Sequence, residues 1–162
     1  MKKRAVLLCL ILAILCAACR SQELPREGYQ LYFVVPSGQQ HGSAVITQPW
    51  QGEMEPGPQE LLQDLLNGPV QEGAASPFPA GVRIIRCEQS EENKNHLKIV
   101  LSEQYSALTD ISLTLADYCI VMTLTQLPQV DSVEIQVQGT GSGYRSHPVL
   151  RRDEVELPEV LP

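Results

Sequence analysis

The chain is 162 residues long and carries nineteen acidic against twelve basic side chains, a net charge of −7 at pH 7. That length suits one domain, and the acidic balance argues against nucleic acid and anionic surfaces as partners, since both repel it. Without Lys2, Lys3 and Arg4, nine basic side chains face nineteen acidic ones and the net charge becomes −10.

Those three residues head a segment that does not read as part of a fold. Lys2, Lys3 and Arg4 make a basic start, and Ala5 to Ala18 make an apolar run too short to span a bilayer comfortably. Cys16-Ala17-Ala18-Cys19 closes it. Small residues just before a cysteine resemble the lipobox of bacterial lipoproteins, which implies loss of residues 1–18 and lipidation of Cys19. The leucine usual three residues before that cysteine is here Cys16, with Leu15 one position early. An ordinary secretory signal with an incidental cysteine is the alternative. Residues 19–28 are polar, contain Pro25, and read as a tether.

Tyr29 to Val35 (YQLYFVV) is the first strand, ended by Pro36-Ser37-Gly38. Gln39 to Gly42 turns the chain into Ser43 to Trp50, a second strand antiparallel to the first, with Pro49 suited to an edge. The helix Gln59 to Leu66 puts Leu61, Leu62, Leu65 and Leu66 on one face. Pro58 fits its first turn, where a missing N–H costs nothing, and Asn67-Gly68-Pro69 stops it, with Gly68 placed for a left-handed cap. Pro79-Ala80-Gly81 then turns into the strands Val82 to Gln89 and His96 to Leu101, joined by the polar turn Ser90 to Asn95. Leu97, Ile99 and Leu101 face inward, with Lys98 on the other side.

Leu113, Ala116, Ile120, Leu124 and Leu127 hold one helix face, widened by Leu115, Cys119 and Met122. Asp110 and Ser112 are the N-cap candidates, and Pro128 is the stop. Val133, Ile135 and Val137 then alternate with Glu134, Gln136 and Gln138 as a strand with one wet face. From residue 140 onward, glycines followed by an acidic, proline-bearing end read as a flexible tail. The order β(β)αββαβ makes an α+β fold: a mixed three- to four-stranded sheet with two helices packed on one face.

Tyr118 to Pro128 reads Y-x-I-V-x-T-L-T-Q-L-P, with a strand and Gly139 after it. This block resembles the second half of the GerMN domain of sporulation and spore-germination proteins. The opening Leu31-Tyr32-Phe33-Val34, the helix end Leu61-Leu62-x-x-Leu65-Leu66-x-Gly68-Pro69, and Pro79-x-Gly81 ahead of Val82-x-Ile84-Ile85 resemble its first half. Leu101-Ser102 followed by Glu103 and Tyr105 matches in part, because Val100 or Leu101 stands where an aspartate is expected. The resemblance covers Tyr29 to Gly139, one copy. It implies a ring-building-motif-like fold that acts by lateral contact. The role implied is non-enzymatic: assembling or localising an envelope complex in sporulation or germination of a Gram-positive bacterium. The partners implied are the cell membrane through the lipid, an envelope or sporulation-complex protein, and a second copy of the chain. No cofactor is implied.

Candidate chemistry is sparse. His41, His96 and His147 share no element and have no ligand at metal spacing. Cys87 and Cys119 remain once the signal and Cys19 are set aside; in an exported domain they either form a disulfide or stay as buried thiols. Glu53, Glu55, Glu91, Glu92 and Glu103 lie in polar loops. Asp117 is the one acid inside the main helix, and Arg86 is a partner for it from the sheet. Tyr29, Tyr32 and Trp50 are the candidate binding surface: they would stack a small ligand or cell-wall glycan, or pack within the strands.

Overall fold

The computed structural model describes residues 28–36, 44–140 and 149–155. The signal segment, Cys19, the tether through residue 27, His41 with its turn, His147 and the end of the tail lie outside the described residues. The elements are β1 (Gln30–Val34), β2 (Val45–Pro49), α1 (Pro58–Asn67), β3 (Ile84–Gln89), β4 (His96–Leu101), a 3-10 turn (Glu103–Ala107), α2 (Asp110–Leu124), β5 (Ser132–Val137) and β6 (Val149–Arg151).

The α+β class holds, with a mixed four-stranded sheet in the order β3-β4-β5-β6. β3 and β4 pair antiparallel, β5 joins β4 in parallel after the crossover through α2, and β6 returns antiparallel to β5. Two details differ from the sequence expectation. β1 and β2 pair antiparallel as expected but form a two-stranded sheet of their own. The expected tail supplies the fourth strand: Leu150 sits opposite Val133 and packs on the core, so the folded unit runs past residue 140.

The core joins Leu31 and Phe33 of β1, Leu61, Leu62 and Leu65 of α1, and Ala116, Ile120 and Leu124 of α2 to the inward rows of β4 and β5. Alternation along a strand sends every second side chain inward, which explains the rows Leu97, Ile99, Leu101 and Val133, Ile135, Val137. Helix α2 touches β5, α1 and β1. Because β1 lies against a second side of it, burial spreads beyond the predicted stripe to Val121 and Thr123, both 0% exposed.

Local chemistry sets the ends. Pro58 begins α1, and Gly68, at φ +93°, donates its N–H to the Leu65 carbonyl at 3.2 Å. Gly81, at φ +80°, lets the Val82 N–H reach the Pro79 carbonyl at 3.4 Å, a turn whose third position favours glycine. The N-cap of α2 is Thr109, not Asp110 or Ser112. Asp110 is already the first helical residue, and Ser112 acts from inside the first turn. Its hydroxyl accepts from the Thr109 N–H at 3.1 Å and donates to the Thr109 carbonyl at 2.6 Å. The helix ends at Leu124, ahead of Pro128.

Candidate functional site

The three aromatics do not form one surface. Tyr29 and Trp50 meet edge to face, with ring centroids 6.3 Å apart and planes at 83°. Tyr32 instead meets Tyr118 of α2, at 6.2 Å and 75°. β1 and β2 bring Tyr29 and Trp50 together from the two ends of the hairpin, where the Trp50 N–H donates to the Tyr29 carbonyl at 2.7 Å. Both rings are half-buried, with one side against the core.

Each of these two rings also ends on a carboxylate. The Tyr29 hydroxyl donates to Glu55 Oε1 at 3.2 Å, and the Trp50 indole N–H donates to Asp64 Oδ2 on α1 at 2.7 Å. Burial first, and then the hydrogen bond and charge of Glu55, push the Tyr29 phenol above its ordinary value. The far edge of the Trp50 ring lies across Gly52, where a Cβ would collide with it. Sequence reading found the rings and placed Glu55 only among the loop acids; no periodicity connects Trp50 to Asp64.

A second group lies on the sheet face away from the helices. The parallel register sets His96 beside Ser132 and Lys98 beside Glu134. His96 Nδ1 is 2.8 Å from Ser132 Oγ, and its Nε2 is 3.4 Å from Glu134 Oε2. Lys98 Nζ approaches the same carboxylate at 4.0 Å, and the Gln136 amide donates to Glu134 Oε1 at 2.7 Å. Burial alone would raise the Glu134 carboxyl, but the hydrogen bonds from Gln136 and His96 and the charge of Lys98 outweigh it and hold the group below its ordinary range. Serine, histidine and carboxylate in a row invite a nucleophilic reading. Two features oppose it: Ser132 is only 5% exposed, and its own N–H is turned to the Asn95 carbonyl, where an acyl-transfer site needs donors aimed at a developing oxyanion. The row is a polar seam between β4 and β5.

The remaining expectations resolve simply. Cys87 and Cys119 are separate thiols, not a disulfide. Cys87 lies on β3 beside Ile99, and Cys119 is wholly buried on α2. Burial pushes Cys119 up to about 12, and burial followed by the charge of Glu88 pushes Cys87 up to about 11. Thiols held so high are poor nucleophiles. Arg86 does not reach Asp117: it pairs with Glu88 at 3.7 Å in solvent, and Asp117 accepts from the buried Tyr105 hydroxyl at 2.6 Å. Among the described residues no cluster of three His, Cys, Asp or Glu side chains could hold a metal ion. No described helix is long and apolar enough to cross a membrane.

Comparison with known proteins decides the family. The model described as Germane, sporulation and spore germination, matches residues 30–142. The chain belongs to the Germane family. Its fold is similar to that of the first GerMN domain of the sporulation protein GerM from Bacillus subtilis, at 18% identity and a TM-score of 0.53, over 68% of this chain and 82% of that one. The tandem GerMN domains of the same protein align at 17% identity and 0.49, over 69% and 39% of the two chains. A candidate lipoprotein from Clostridium perfringens aligns at 21% and 0.45, over 68% and 74%. No curated protein matches the sequence. Within the Germane fold of this chain, the T-L-T-Q segment holds the first strand in place, since Thr123 and Gln126 bind the main chain of β1.

Proposed function

We propose that this chain is an exported, lipid-anchored, non-enzymatic interaction module that helps assemble or localise a protein complex of the cell envelope during sporulation or germination. The observation that carries the reading is the family match across residues 30–142. It follows a cysteine-terminated signal-like segment that resembles a lipobox. In this reading Cys19 carries the lipid, and the acidic domain stands off the membrane of a Gram-positive bacterium on its short tether. The buried Ser132 hydroxyl and the high thiols are poor nucleophiles.

The test is affinity capture of the membrane-extracted protein from vegetative and sporulating cells in parallel, read by mass spectrometry. Sporulation-complex proteins recovered only from sporulating cells support the reading. Wall fragments alone, in either state, overturn it in favour of a glycan-binding lipoprotein. Incorporation of a labelled fatty acid, lost in Cys19→Ala, tests the anchor separately.

A further inference from the structure

We propose that the Tyr29–Trp50 corner is a docking site for an arginine side chain of a protein partner, with Glu55 and Asp64 as its anionic rim. This rests on the interaction-module reading and names the chemistry of the contact. The two rings stand at 83° with their centroids 6.3 Å apart, and both are half-exposed. A guanidinium stacks on an aromatic face while its N–H groups fork to carboxylate oxygens. The corner offers both elements on half-exposed groups, and tyrosine, tryptophan and arginine are the side chains that most often dominate a protein interface.

The electrostatics point the same way. Each ring donates its polar hydrogen to a carboxylate, Tyr29 to Glu55 at 3.2 Å and Trp50 to Asp64 at 2.7 Å. Donation to an anion shifts electron density toward the ring and strengthens its attraction for a cation. Neither acid takes part in an ion pair among the described residues, whose salt bridges are Arg86–Glu88, His96–Glu134 and Lys98–Glu134. Glu53 and Glu60 lie close in the chain and are exposed, so the local field is of one sign. The corner is also held in place: Gly52 leaves room for the Trp50 ring, and Asp64 Oδ1 accepts from Asn67 at 3.5 Å.

The chain has a single tryptophan, so its fluorescence reports this corner. The full chain, purified in detergent, is titrated with the peptide Gly-Arg-Gly-Arg and with the same peptide carrying citrulline for arginine. The expected result is a saturable change with the arginine peptide, at least fivefold tighter than with citrulline, that weakens as salt rises. Glu55→Gln and Asp64→Asn keep an acceptor for each ring donor and remove the charge. Each is expected to weaken the arginine peptide at least threefold, with the unfolding temperature unchanged. Equal affinity for the two peptides overturns the proposal, as does a response to chitotetraose without one to arginine. The capture experiment separates the two readings. If a chain carrying both Glu55→Gln and Asp64→Asn recovers the same partners as the parent, the interaction module stands and this corner is not its contact.

Discussion

The side-chain amide of Gln126 binds the main chain of Gln30 in both directions. Its Oε1 accepts from the Gln30 N–H at 2.9 Å, and its Nε2 donates to the Gln30 carbonyl at 2.7 Å. One glutamine thus does for β1 what a neighbouring strand would do, and Thr123 extends the seal by accepting from the Tyr32 N–H at 3.2 Å. That is why β1 stands against α2 rather than in the main sheet. Gln126→Ala leaves two part-buried backbone groups without partners and is expected to destabilise the domain by about 2 kcal/mol. Gln126→Glu keeps the acceptor but sets a carboxylate oxygen against the Gln30, Met122 and Thr123 carbonyls, so it should cost at least as much as the alanine. Urea unfolding of the three chains orders them.

The two thiols give a second expectation. In a chain beginning at Arg20, both cysteines should resist a disulfide-exchange reagent at pH 8 in the native state and react fully in denaturant. A thiol whose pKa lies near 11 or 12 exposes little thiolate at that pH. Cys119 should react more slowly than Cys87, which is only half-buried. A native chain whose mass rises by two hydrogens on reduction would contain a bond between them, contrary to the separate thiols seen here.

These partners mark the limit of what pattern reading reaches. Helix α1 was legible because Leu61, Leu62 and Leu65 keep one face between Pro58 and Gly68. The β4 and β5 rows were legible because alternation is a local signal. The bond between Gln30 and Gln126 joins residues 96 positions apart, and a glutamine that seals a strand looks like any surface glutamine. β6 was missed for a related reason. It is three residues long with one inward side chain, Leu150, too short for any period to show. At the candidate site, Tyr29 and Trp50 could be named as aromatics, but no acid could be assigned to them, because Glu55 and Asp64 sit among other acids with no spacing to distinguish them.

Glu134 gives a pH dependence with a definite sign. Its carboxyl is lowered in the folded chain, so the stability it contributes is fully present above the unfolded carboxylate value, about 4.3. That contribution is lost as the pH falls through the lower folded value. Glu134→Gln removes this contribution and should flatten the acid limb of a stability-against-pH curve while lowering stability near neutrality. Thermal unfolding of both chains between pH 7 and pH 3 reads it. An acid limb of unchanged steepness would mean that the seam of His96, Lys98 and Gln136 around this carboxylate is energetically silent.

The last expectation concerns where the domain stops. β6 covers the outer edge of β5 from Ser132 to Glu134, Leu150 fills the space against Val133, and Val155 packs on the same core. A chain ending after residue 155 keeps the strand and both contacts and is the reference for a shorter one. One ending after Pro148 loses the strand and uncovers β5, whose open N–H and C=O groups then form a template for pairing with other chains. It should be less stable and self-associate, visible as a higher mass in light scattering. Leu150→Ala isolates the packing contribution, because it keeps the ladder and removes only part of one side chain. Its cost should be about 1–2 kcal/mol, below the range for a fully buried leucine since Leu150 is half-exposed. If Leu150→Ala costs as much as the whole truncation, packing at this one side chain holds the edge closed; if it costs far less, the ladder itself does.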